Sequence, residues 1–146
     1  MIFTKNRDPE DLNKLYESLI KQLPNIIFQI RVNKERQIAF DFLSKPIDFL
    51  NEFSFNEFIE DSYNLSNYAI YEPDLKGFID SYENAIANIE VWDIEFRLLL
   101  PDSGYKWIKI EATPKKNDLD EIVFYGLISD ITDVKEQEIR MRLADE

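Results

Sequence analysis

The side chains in this sequence that could do chemistry are carboxylates, a few cations and many aromatic rings, because two reactive types are missing. The 146 residues contain no His and no Cys. That removes the commonest general base, the usual transition-metal and haem ligand, all thiol chemistry and any disulfide framework. What remains at suggestive spacing is Asp93, Glu95 and Glu111 near Arg97 and Lys109, and the Asp130-Ile131-Thr132 run. General acid–base work needs a carboxylate in an apolar pocket with a shifted pKa. These acids instead alternate with apolar residues, as a solvated sheet face does, and Glu95 and Arg97 are placed to pair with Lys109 or Glu111 across a hairpin. No ladder of alternating acids closed by Gly marks a calcium loop, so no specific metal site is expected. No residue is assigned a catalytic role, and the chain is expected not to be an enzyme.

The aromatic set offers binding rather than reaction. Phe28, Phe40, Tyr82, Trp92, Phe96 and Ile110 could line a cavity for an uncharged or amphipathic small molecule. Plain core packing is the competing reading, and the commoner one for such a stripe.

The bulk numbers supply a core and exclude several partners. The chain is 45% hydrophobic and 14% aromatic, ample for one domain. Its net charge of -12, from 29 acids against 17 bases, repels phosphate backbones and anionic headgroups. Nucleic acid and membrane surfaces are therefore not expected partners. No apolar run approaches the ~20 residues of a membrane span. The opening from Met1 to Asp8 turns polar too soon for a signal peptide, so a cytoplasmic location is expected.

The elements that must position these side chains follow from periodicity. Asp8-Pro9-Glu10-Asp11 opens a helix over Asp8–Leu23, whose Leu12, Leu15, Tyr16, Leu19, Ile20 and Leu23 form one apolar stripe. Period two then runs through Ile26, Phe28, Ile30 and Val32, and again through Ile38, Phe40 and Phe42, with Asn33-Lys34-Glu35-Arg36 as the turn of a hairpin. Phe49, Leu50, Phe53, Phe55, Phe58 and Ile59 point to short helices of undefined bounds. After Pro73 a longer helix presents Leu75, Phe78, Ile79, Tyr82, Ile86 and Ile89, with Asp74 placed to cap its start. Three strands follow: one from Trp92 to Leu100, one through Ile108, Ile110 and Ala112, and one from Ile122 to Ile131. Gly104 is placed for a positive φ in the first turn, and Pro114 to Asp120 is expected as a polar loop. The tail from Thr132 is helix-prone, with Thr132 as its cap and only a weak heptad in Val134, Met141 and Ala144. Hairpin-type strands separated by helices argue for an α+β fold with an antiparallel sheet.

Over roughly Leu23 to Val134 the sequence resembles the PAS family. The likeness lies in Phe40-Asp41-Phe42-Leu43-Ser44, in Tyr71-Glu72-Pro73-Asp74 (with Tyr71 where the family usually has His), in Phe96-Arg97-Leu98 followed by Asp102-Ser103-Gly104-Tyr105-Lys106-Trp107-Ile108, and in the closing Gly126-Leu127-Ile128-Ser129-Asp130-Ile131-Thr132-Asp133. The resemblance implies a five-stranded antiparallel sheet with helices on one face, an N-terminal amphipathic helix over residues 1–24, a sensor domain over 25–132, and a signalling helix starting at 133. It implies a sensory and dimerisation module of a bacterial-type signalling protein, whose helix continues into a histidine kinase, preferred slightly, or a diguanylate cyclase. Asp130, Ile131 and Thr132 then couple sheet to helix. The chain stops where such an effector would begin, so a longer protein is expected.

The third strand is apolar on both faces, which calls for cover on both sides of the sheet. A parallel homodimer is therefore expected, with Leu12, Leu15, Tyr16, Leu19, Val123 and Tyr125 approaching each other; the alternative is a monomer whose first helix packs on its own sheet. Flavin photochemistry of the LOV type needs an adduct-forming Cys, and haem normally needs a His, so no cofactor is expected. A Tyr or Met haem ligand stays open, although Met141 lies in the tail. Two other functions compete: a ligand-free PAS coupling element, and a cone-shaped NTF2-like binding protein or isomerase. The latter is disfavoured by two strands directly after the first helix and by the missing His.

Overall fold

The computed structural model describes residues 8–44, 70–100 and 104–145. Helix α1 runs Pro9–Gln22, strands β1 and β2 run Ile26–Val32 and Ile38–Leu43, helix α2 runs Glu72–Asn88, and strands β3, β4 and β5 run Trp92–Leu100, Gly104–Lys116 and Ile122–Asp130. Helix α3, Thr132–Ala144, closes the order. The strands form one antiparallel sheet ordered β2-β1-β5-β4-β3. The expected short helices at Phe49 to Ile59 lie outside the described residues. Among the described residues no helix is long and apolar enough to cross a membrane.

Sequence chemistry explains most of the element ends. Asp8 caps α1 by accepting from the Glu10 amide at 3.1 Å, Pro9 occupies the first turn, and Leu23, before Pro24, leaves the helix in an extended conformation. In β1 the alternating residues Ile26, Phe28, Ile30 and Val32 are buried. Helix α2 lays Phe78, Tyr82, Ala85 and Ile86 on the same side, against Trp92 and Phe96 of β3. At the centre of the sheet, a Cβ on Gly126 would lie 2.8 Å from the Ala112 Cα and would also strike the Glu111 carbonyl. Only glycine lets β4 and β5 meet there.

Two hairpins turn by the same device. Arg36 N–H donates to the Asn33 carbonyl at 3.0 Å, Asn33 N–H to the Gln37 carbonyl at 3.1 Å, and the Asn33 side-chain oxygen accepts from Gln37 N–H at 2.8 Å. Between β4 and β5, Asp120 donates to Asn117 at 3.1 Å, Asn117 to Glu121 at 3.0 Å, and the Asn117 side chain accepts from Glu121 at 2.9 Å. In both three-residue loops the last position is left-handed, with φ 65° at Arg36 and 63° at Asp120. Gly104 takes φ 73° at the start of β4.

The structure corrects four expectations. The region expected as a loop from Pro114 begins as strand, because β4 continues to Lys116. Strand β3 starts at Trp92 opposite Ala112, so beyond that point β4 has a neighbour on one side only, where proline is tolerated. Asp74 does not cap α2; the helix starts at Glu72 with no side-chain cap, and the Asp74 carboxylate turns to Arg97. Thr132 does not cap α3 but is its first residue, its hydroxyl engaged elsewhere. Neither Glu95 nor Arg97 pairs with Lys109 or Glu111: Glu95 binds Lys135 of α3, Arg97 binds Asp74, and Lys109 takes Glu111 on its own strand at 2.7 Å.

Candidate functional site

At the end of β5 the backbone turns a sharp corner into α3, and side chains fasten it. The Asp130 carboxylate accepts from Thr132 N–H at 3.0 Å and from the Thr132 hydroxyl at 2.6 Å. That hydroxyl oxygen in turn accepts from the Trp107 backbone amide of β4 at 3.0 Å. Ile131 N–H donates to the Trp107 carbonyl at 2.9 Å. Trp107 is thus bonded through both backbone groups to the first residues of the corner. Lys106 adds an ion pair to Asp130 at 3.4 Å, of small energy because both side chains are about a third exposed. Alternation puts the Trp107 side chain on the sheet face opposite Ile108, away from α2.

On that face a row of cations and rings runs over β3 and β4. The Arg97 guanidinium lies 4.1 Å from the Tyr71 ring and 4.8 Å from the Trp107 ring, and Lys135 lies over the same Trp107 ring at 5.1 Å. Lys135 is held by Glu95 at 2.7 Å, which raises its pKa. At the other end Asp74 accepts from the Arg97 Nε at 2.9 Å, Nη2 at 2.7 Å and backbone N–H at 2.8 Å. These bonds outweigh burial and lower the Asp74 pKa. Tyr71 N–H meanwhile donates to the Arg97 carbonyl at 2.9 Å. Both backbone groups of Arg97 on edge strand β3 are therefore taken by the start of α2, which closes the edge to further strands at that point. The row links the start of α2 to the first turn of α3. Sequence reasoning missed it, and the only signal was one Tyr, one Arg, one Trp and one Lys on separate elements.

The six aromatic and apolar pocket candidates are brought together. Phe28, Tyr82, Trp92, Phe96 and Ile110 are buried in one cluster, and Phe40 is partly buried against it. Trp92 sits edge-on to Phe78, Tyr82 and Phe124 at ring separations of 5.7, 5.3 and 6.0 Å, and its indole N–H donates to the Ser81 hydroxyl at 3.1 Å.

The interface candidates divide. Helix α1 buries none of its residues: Leu15, Tyr16 and Leu19 are exposed and Leu12 is half-buried. A groove of about 340 Å³ separates Tyr16 and Ile20 from Phe42 and Ser44 at the end of β2. Tyr125 is 48% exposed on the sheet, but Val123 is 6% exposed within the single chain and offers little surface to a partner.

No protein-family model and no curated protein matches the sequence. Solved structures do match. The chain is similar to a sensory box histidine kinase/response regulator from Burkholderia thailandensis E264, at 15% identity and TM-score 0.58 over 91% of this chain and 94% of that one. An RNA-binding light-oxygen-voltage receptor is similar at 15% identity and TM-score 0.63, over 100% of this chain and 41% of its own. The N-terminal domain of a diguanylate cyclase with PAS/PAC sensor from Marinobacter aquaeolei is similar at 16% identity and TM-score 0.54, over 73% and 95%. The sheet order, the helix α2 laid across it and these likenesses together establish that the chain has the PAS fold.

Proposed function

We propose that this chain is a sensory and dimerisation module, without catalytic activity of its own, that passes the state of its core or of a partner to a linked effector through α3. The observation that carries this reading is the contrast within α3. Its first residue is tied to β4 and β5 through Asp130, Thr132 and Trp107, whereas none of its residues is buried. A helix anchored so firmly at one end and so little elsewhere is suited to hand on a displacement of the sheet. The mechanism is a population shift between two packings of the sheet against its flanking helices. A histidine kinase or a diguanylate cyclase is the effector type, as in two of the similar proteins. In the signalling protein that carries this module, Asp130→Asn and Thr132→Val are expected to leave the domain folded and to uncouple effector output from stimulus. Unchanged signalling in both variants overturns the reading.

The module acts as a homodimer through the exposed stripe of α1, at Leu15, Tyr16 and Leu19. With no Cys in the chain, any pocket ligand is held without a flavin–thiol adduct. Native mass spectrometry, repeated after denaturation, tests both points. A dimer that sheds a small molecule supports a ligand sensor, and a bare dimer supports a ligand-free coupling element. A bare monomer removes the dimer.

A further inference from the structure

Among the described residues three non-glycines hold a positive φ: Arg36 at 65°, Ile89 at 50° and Asp120 at 63°. Each occupies a place where glycine is the normal choice, two as the left-handed residue of a hairpin loop and Ile89 as the left-handed end of α2. For a β-branched residue such as Ile89 this is a true outlier. The three lie far apart in sequence, on β1–β2, α2 and β4–β5, yet all three line one groove of about 270 Å³. The left-handed conformation belongs to the hairpin loop at Arg36 and Asp120, whereas at Ile89 it is strain of the kind that clusters at ligand-binding sites.

The groove has an apolar floor and a basic rim. Val32 and Ile86 are buried beneath it, with Ile122 and Ile89 beside them. On the rim, Lys34 and Lys116 both rest on the single carboxylate of Asp120, at 3.2 and 2.8 Å, and Arg36 reaches Glu83 at 3.3 Å. Of the charged side chains that line the groove, three are cations and one, Asp120, is a carboxylate, on a chain of net charge -12. Asp120 holds the two lysines together in the lining of the groove.

We propose that this groove binds a small amphipathic carboxylate, its apolar end on Ile86, Ile89 and Ile122 and its carboxylate among Lys34, Lys116 and Arg36. Its volume lies just under the ~300–1,000 Å³ range of ordinary ligand pockets, which keeps the occupant small. The left-handed side chains are what the site requires: Arg36 supplies charge, Asp120 sets the lysines and Ile89 forms the apolar wall. The assignment does not rest on the signalling role and stands if that role fails.

The test is a titration of the whole chain with hexanoate, followed by amide chemical shifts, with 1-hexanol and hexylammonium as controls. Hexanoate is expected to give saturable shifts at residues 33–37, 86–90 and 116–122, and to bind about tenfold more tightly than either control, a difference of 1.4 kcal/mol. The Lys34→Gln/Lys116→Gln variant removes that preference. Arg36→Gly and Ile89→Gly suit their backbones better, so they melt no lower than the parent protein and yet bind hexanoate about tenfold more weakly. Absent or unsaturable shifts there, equal binding of hexylammonium, or glycine variants that bind as tightly as the parent, overturn the proposal.

Discussion

Replacing Trp92 with alanine is expected to destabilise the domain by about 4 kcal/mol, the scale of a large aromatic lost from a closed core. Trp92 is 1% exposed and touches Phe78, Tyr82 and Phe124 edge-on, so its removal deprives three rings of their neighbour at once. It also withdraws the indole N–H from the Ser81 hydroxyl, which itself donates to the Phe78 carbonyl at 2.8 Å. A domain of this size is stable by only ~5–15 kcal/mol, so the variant sits near the edge of folding. Urea unfolding of Trp92→Ala and Trp92→Phe measures the effect, and the phenylalanine variant is expected to lose much less. The same experiment separates the two readings of the aromatic cluster. A cost below ~1.5 kcal/mol for Trp92→Ala means that the indole borders open space, as a ligand cavity requires, instead of filling the core.

Asp74→Ala is expected to cost about 2 kcal/mol at neutral pH, the value of hydrogen bonds to a charged group whose partners are then left unmet. Its carboxylate receives three N–H groups of Arg97, and the pair is only 17% exposed on the Asp74 side and 26% on the Arg97 side. Asp74→Asn keeps one oxygen for the Arg97 backbone amide and loses less. The pH dependence follows from the lowered Asp74 pKa, caused chiefly by the Arg97 hydrogen bond. A depressed carboxyl pKa contributes stability that is fully present above its unfolded value of ~3.9 and disappears as pH falls through the folded value. The parent protein and Asp74→Asn should therefore differ most in unfolding midpoint above about pH 5 and converge as the solution is acidified below pH 4. A gap that stays constant down to pH 2 means that the ion pair adds nothing to stability.

Much of the scaffold was legible in the residues because it depends on local rules. The period-two pattern of Ile26 to Val32, the helical stripe of α1 with Asp8 and Pro9 at its start, and the positive φ of Gly104 are consequences of backbone geometry that neighbouring residues settle among themselves. The antiparallel α+β class follows from the order of those elements. The four local likenesses to the PAS family sat at the right places in that order, and the structure carries the same fold. The six residues offered as pocket lining also lie together, in one buried cluster that a plain core would equally form.

What the sequence could not decide was the choice of partner for each polar group. Asp74 has the residue type and position of a helix cap, yet its carboxylate finds three donors on Arg97, and that geometry exists only once α2 is laid against β3. Thr132 likewise serves Trp107 and Asp130 instead of its own helix. Glu95 stands opposite Lys109 in the register but bonds Lys135, because the first turn of α3 sits over that face of the sheet. Polar side chains have several acceptable partners within reach, and packing selects among them. The same holds for the groove of Arg36, Ile89 and Asp120: periodicity and spacing show that each ends an element, but only the closed sheet brings the three ends to one place.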